Sequence, residues 1–448
     1  MAEGSGIIII FSENLRFQYM IVFRYGIISL FCVIGITISS TFGSETNSDQ
    51  LPDVLENHTY DPDIHTVWLG YTNWSFSLPV IELNTEQKLE LRFDDLSGES
   101  RSFGYTLIHC DMNWQRSPLS ENEYMGGFGS GIIRESEASL NTTYFYINYS
   151  LVIPNDDVIP LVSGNYVLVV FDESDPENII LTRRFFVLEN TMEIEARVSR
   201  PPFGDFNQTG QQLHFSVKYN NGAIRDPKTE ITALALQNYR FDVEKKFDKP
   251  YLNRPGLLEY TDPDGGIFNA GNEFRTLDIK SMRYQTENIA KIDFRNPYYH
   301  VIMKTDNLRA NKPWFSRSDL NGSYYIDKEK SNDRHTESDY IFVHFRLELP
   351  SVNTLDKVYV SGSFNDWKAD SGSILKFNPD NGLFETTLLM KQGLYDYCYM
   401  MKDPGTGVVD EYEIEGSYYE TENDYTIFVY FHDRFKGYDR LTGYLSIK

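Results

Sequence analysis

A chain of 448 residues exceeds what a single core holds and points to about three domains. Its net charge of −24, with a pI near 4.7, argues against nucleic acid and anionic membrane surfaces as partners. The 31 Tyr and 30 Phe fit β-rich domains with tyrosine-lined contact surfaces.

The chain opens with an export-like pattern. Arg24 supplies a basic start, Gly26–Ile38 an apolar core, and Thr41 and Gly43 small residues at the −3 and −1 places of a cleavage site. Residues 1–43 are therefore expected to be a signal peptide with an N-terminal extension; a membrane anchor is the alternative. Cys32 lies in that apolar core, which leaves Cys110 and Cys398, expected as two buried free thiols rather than a disulfide. Residues 44–62 are polar and punctuated by Pro and Asp, as in a linker.

Residues 63–190 read as a first β-sandwich of about seven strands. Its centre is Phe103–Cys110, where Phe103, Tyr105, Leu107 and His109 alternate with Gly104, Thr106, Ile108 and Cys110, a strand packed on both faces. Asp111 to Asn113 interrupts the pattern, and Trp114 leads into the Ser117-Pro118 turn. His109 with Trp114 could line a binding site; the preferred reading is a core Trp beside a hydrogen-bonded core His. Gly126 to Gly131 spells GGFGSG, which lacks the lysine and the preceding strand of a phosphate loop and reads as a mobile loop.

Residues 191–336 read as a middle β-rich domain, with alternation in Met192–Val198, Gln211–Tyr219 and Ile231–Asn238. Asp262 and Asp264 mimic the start of a calcium loop, but the later ligands and the glycine at its sixth place do not follow. Residues 337–448 form the third unit. Strand, Gly362-Ser363-Phe364-Asn365-Asp366-Trp367, hairpin and Gly393-Leu394-Tyr395-Asp396-Tyr397 occur in the order of the early-set sandwiches that include starch- and glycogen-binding modules. That resemblance makes Trp367, Tyr395 and Tyr397 candidate sugar-stacking residues; Trp367 packed at a sandwich edge is the plainer reading. The fold class expected is all-β, as tandem immunoglobulin-like or early-set sandwiches.

Chemistry is scarce. No nucleophile elbow, zinc helix, P-loop or dinucleotide fingerprint is present, and the eight His show no metal-site spacing. Neither catalytic residues, a metal nor a cofactor is expected, and the chain reads as an interaction protein.

Taken in order, several short motifs resemble the plug protein family of the type IX secretion system. They are Tyr105, His109 with Asp111, Trp114 to Ser117, Tyr124 with Gly126, Gly127 and Phe128, Asn148, Asn165-Tyr166, Gln237-Asn238, Asn272-Glu273-Phe274-Arg275 and Asp319 to Gly322. The terminal Val358 to Gly362 and Gln392 to Tyr395 complete the order, so the resemblance runs from about Thr66 to Lys448. It implies a non-catalytic periplasmic protein that closes the periplasmic end of a large outer-membrane translocon barrel, monomeric within that complex and without small-molecule substrate. These signature residues are the candidate interface, with the segment Tyr124–Arg134 first among them. A carbohydrate-binding protein of the periplasm or cell surface is the rival expectation.

Overall fold

The computed structural model describes residues 51–448 apart from 73–75, 221, 223, 262–264, 351–356 and 404. The export signal, residues 44–50 of the linker and the Asp262–Asp264 break lie outside the described residues. The protein is all-β, as the sequence indicates.

The first sandwich sets a six-stranded sheet against a four-stranded one. In the six-stranded sheet, Asp175–Leu188, Gly164–Asp172, Phe103–Cys110 and Ser130–Ile132 lie side by side. The facing sheet is Ile64–Tyr71, Leu89–Asp95, Ile147–Ile153 and Glu135–Ala138. Alternate residues Phe103, Tyr105 and Leu107 meet Leu91, Phe93 and Tyr149 in the core between them. The opposite face is not left to water: Ile108, Cys110, Val167, Val169 and Phe186 pack against Leu234, Leu236, Phe428 and Tyr430. Phe103–Cys110 is thus covered on both faces, which is why it carries no polar alternation.

The second sandwich does not respect chain order. Its outer sheet is Glu193–Ser199, Gly210–Lys218, Leu257–Tyr260 and Leu252–Arg254. Its inner sheet is Arg240–Phe247, Ile231–Gln237, Tyr425–Asp433 and Tyr438–Ile447. The last two strands of the chain therefore return to the middle unit, and the expected partition into 191–336 and 337–448 is corrected. Tyr425–Asp433 pairs antiparallel with Ile231–Gln237 over seven residues. Both strands offer apolar side chains on both faces: Ile427 and Val429 join Ala233 and Ala235 in the middle core, while Phe428 and Tyr430 join Leu234 and Leu236 against the first sandwich. A strand with two apolar faces needs two covers, and only the slot between these sandwiches supplies them.

The third unit is consequently an insertion, which begins before residue 337. An eleven-stranded sheet runs from Arg275–Asp278 through Gly393–Lys402, Lys357–Ser361, Ile374–Asn378, Leu383–Lys391, Tyr340–Glu348 and Tyr298–Met303 to Ile289–Arg295. Its two halves pack face to face: Phe345 and Tyr397, from strands not adjacent in this order, meet edge-to-face at 5.2 Å.

Candidate docking surface and the polar knots behind it

The GGFGSG segment is pinned structure, not a free loop. Met125–Gly127 pairs antiparallel with Val158–Pro160, with Gly126 opposite Ile159. Ser130–Ile132 pairs with Phe103–Cys110 at the edge of the six-stranded sheet. The Phe128 and Gly129 amides donate to the Asp157 carbonyl at 2.8 and 3.1 Å, and the Thr106 hydroxyl donates to the Gly129 carbonyl at 2.7 Å. Behind the turn, the Asn155 amide donates to the Tyr105 hydroxyl, which donates to the Asp157 carboxylate. Gly127 sits at φ 91°, and a Cβ there would lie 2.5 Å from the Asp157 carbonyl oxygen, so only glycine fits.

This ribbon holds apolar side chains in water. Phe128 is 84% exposed, and Leu161, Ile159 and Ile132 are 46, 41 and 39% exposed. Leu161 and Ile159 face the same glycine, Gly126, at 3.2 and 3.6 Å from where its Cβ would be. Exposed apolar side chains beside a strand edge are features that a partner can cover.

The other signature residues are buried or half-buried. His109 is buried, stands 5.0 Å from Tyr166 and 5.5 Å from Tyr438 ring to ring, and bonds the Ser163 carbonyl through Nε2 at 3.2 Å. Burial pushes its imidazole down to about 4, so it is neutral at physiological pH. Asp111 closes its turn by accepting from the Asn113 and Gln115 amides. Trp114, at φ 64°, lies under the Arg184 guanidinium at 4.4 Å and edge-on to Phe186. The Ser117 amide donates to the His109 carbonyl, the Tyr124 hydroxyl points at the Leu107 carbonyl, and the Tyr166 hydroxyl bonds the Tyr124 and Val162 carbonyls. Of the sixteen signature residues expected as interface, only Gly127 and Phe128 are fully exposed.

The rest bond other parts of the same chain. Asn165 accepts from the Tyr430 hydroxyl at 2.7 Å, linking the first unit to the second. Gln237 donates to the Asn269 carbonyl, and Asn238 and Asp424 lock two loops through paired bonds. Asn272 donates to the Glu415 carbonyl. Arg275 holds Glu415 with Nε at 2.9 and 3.1 Å and Asp306 with a terminal nitrogen at 2.8 Å, which ties the insertion's first strand to Tyr412–Glu415. Glu273 is buried, and desolvation with Asp319 nearby pushes its carboxyl up to about 7. Between the first unit and the insertion, Asn148 donates to Asp94, and Asp94 also accepts from the Tyr340 hydroxyl and pairs with Lys391 at 2.6 Å. Both charged side chains of that pair are 1% exposed. Sequence reading missed this knot; its trace was Asp94-Asp95 at the inward end of an alternating strand.

The sugar-stacking candidates differ in exposure. Tyr395 and Tyr397 are interior, bonded to the Lys391 carbonyl and to Asp306. Trp367 is half-buried beneath the Arg240 guanidinium, 4.1 Å from its ring centre, with Phe274 beside it. No helix of the described residues is long and apolar enough to cross a membrane.

Comparison with known proteins gives these features a family. Residues 64–189, the first sandwich, match the model of the type 9 secretion system plug protein first domain. A crystal structure of a hypothetical protein from Parabacteroides merdae superposes with a TM-score of 0.84 at 34% identity, covering 89% of this chain and 100% of that one. Dimeric latent PorU from Porphyromonas gingivalis and a Salmonella alpha-2-macroglobulin mutant match at TM-scores of 0.15 and 0.17, with 11 and 10% identity. They cover 86 and 90% of this chain and 34 and 27% of their own, and carry no argument at those scores. No curated protein matches the chain. The first sandwich, residues 64–189, is thus a type 9 secretion system plug protein first domain, which supports a role related to type IX secretion.

Proposed function

We propose that this protein is a non-catalytic periplasmic plug that closes the periplasmic end of the outer-membrane translocon barrel, and that the edge carrying Phe128, Ile132, Ile159 and Leu161 is what seats in it. One observation carries this reading: the domain that matches the plug family also bears the apolar edge. A stopper must be stiff, and the sandwiches share cores and buried polar knots rather than loose linkers. It must also leave, so its contact should be small and reversible.

Burying one exposed Phe is worth about 1.5–3 kcal/mol, or roughly 10- to 100-fold in affinity. The tagged chain, recovered by gentle membrane extraction, should bring down a very large outer-membrane barrel near one-to-one. Phe128→Asp with Leu161→Asp should lower that recovery about 10-fold or more while the purified variant keeps its melting temperature. Recovery of the unmutated chain alone, in the soluble periplasmic fraction, sinks the plug reading; undiminished recovery of the double variant sinks the seat.

A further inference from the structure

Two short strands cover the outer edge of Asp175–Leu188 and leave a gap between them. His58–Thr59 pairs with Leu181 and Thr182, and Val80–Glu82 with Phe186 to Leu188. Arg183 and Arg184 stand in the gap, at the edge of the six-stranded sheet opposite Ser130–Ile132. There the first unit, the middle sandwich and the insertion bound a cleft of about 460 Å³, with Trp68, Tyr239, Phe241, Tyr324 and Trp367 among its walls. That is within the roughly 300–1,000 Å³ of small-molecule sites. Arg184 is held rigidly in it. Its guanidinium packs on the rings of Trp114 and Phe241, 4.4 and 4.9 Å from their centres. Nε and one terminal nitrogen donate to the Leu55 carbonyl at 2.8 and 2.6 Å. The other terminal nitrogen bonds nothing among the described residues, and none of their carboxylates pairs with Arg184. The other charged side chains of the cleft are matched: Arg183 with Asp366 at 3.7 Å, Lys368 with Glu56 at 3.2 Å, and Asp242 with Arg240 at 2.6 Å. In the walls, the buried hydroxyls of Ser77 and Ser363 also lack a partner among the described residues.

A desolvated charge is ordinarily paired, and a chain with 65 Asp and Glu against 41 Lys and Arg has carboxylates to spare. Arg184 is nevertheless left single at the wall of a cleft. We propose that this cleft binds a small monocarboxylate with an apolar body, its carboxylate on Arg184 and its body against the aromatic walls. One unmatched cation neutralises one negative charge. A phosphate dianion would bring a second, next to Glu56, Asp242 and Asp366 in the same walls. The free edge of a planar guanidinium also suits a planar carboxylate. Two aromatic contacts and the Leu55 carbonyl fix that edge before a ligand arrives, which lowers the ordering cost of binding. Burial pushes the Arg184 guanidinium down to about 10, so it remains charged at pH 7 and gains from an incoming anion. A ligand there touches all three units and should stabilise the folded chain.

The test is titration of the full chain at pH 7 with 3-phenylpropionate, with its uncharged amide and with inorganic phosphate, followed by calorimetry and tryptophan fluorescence. Trp68 and Trp367 in the walls and Trp114 beneath Arg184 are the reporters. The carboxylate should bind once per chain, saturate below about 1 mM and raise the melting temperature; the amide should bind at least about 10-fold more weakly. Phosphate should not compete. Arg184→Gln keeps a donor for the Leu55 carbonyl and removes the charge, and should weaken the carboxylate at least about 10-fold while leaving the amide unchanged. The three probes are compared on the unmutated chain, so the test stands even where the variant melts early. No saturable binding of the carboxylate, equal binding of acid and amide, tighter binding of phosphate, or full binding by a folded Arg184→Gln chain each overturns the proposal. None of these outcomes bears on the plug reading, whose edge lies on the other side of the sheet.

Discussion

At the scale of the residue, the signature side chains act by being buried. Glu273 makes this measurable. Its folded carboxyl titrates near 7 and its unfolded one near 4.5, so between these values the folded state holds the extra proton and stability falls as pH rises. Glu273→Gln removes that slope: its melting temperature relative to the parent should rise between pH 5 and pH 8, by an amount on the order of 2 kcal/mol in stability. A constant difference across that range would mean that Glu273 titrates normally. His109 has the opposite sign, because its imidazole is pushed down to about 4 while the unfolded one takes its proton near 6.5. Its contribution is complete above pH 6.5 and lost as pH falls toward 4.

At the scale of the element, the glycine-rich ribbon shows how an exposed apolar edge is kept rigid. Glycine at 127 lets the chain turn against the Asp157 carbonyl, and two amides then clamp the tip that carries Phe128. Gly127→Ala should destabilise the protein by about 1–3 kcal/mol, read by chemical denaturation, since it adds both backbone strain and a clash. Loss of less than about 0.5 kcal/mol would show that the ribbon relaxes freely and is no rigid seat. The return of Tyr425–Asp433 to the middle sandwich is an element-scale matter too. Its run of apolar residues fits a strand covered twice, but no local pattern names the covering sheet.

At the scale of the molecule, buried charge joins the first unit to the insertion. Lys391 lies between Asp94 of the first unit and the His335 carbonyl, with the Tyr146 ring 4.1 Å from its ammonium. Burial pushes that ammonium down in pKa while Asp94 pulls it up. Either Lys391→Met or Asp94→Asn strands one charge or its partners in the interior, and each should cost about 3–5 kcal/mol. The two together should cost much less than the sum, a coupling that a double-mutant cycle in denaturant reads directly. Additive losses would show that the pair does not hold the first unit to the insertion. Exposed pairs such as Lys218 with Glu195 should contribute little by comparison.

Local pattern carried the fold class, the central two-faced strand, the free thiols and the plug first domain. Each of these is written in local period, turn chemistry or motif order, which a strand carries whatever it later packs against. Cys110 and Cys398 are indeed buried and unpaired. Tertiary structure decided what those motifs do. His109, Asn165, Gln237 and Arg275 read as interface candidates because polar residues in fixed motifs suggest contact with a partner, yet their partners are other parts of the same chain. The Lys391–Asp94 knot joins residues 297 positions apart. Such meetings depend on which sheets stack and where the chain returns, and that is set by summed burial over hundreds of residues rather than by any local pattern. The exposed edge at Phe128 belongs to both levels: its glycines were legible, and its solvent exposure was decided only when the sheet ended beside it.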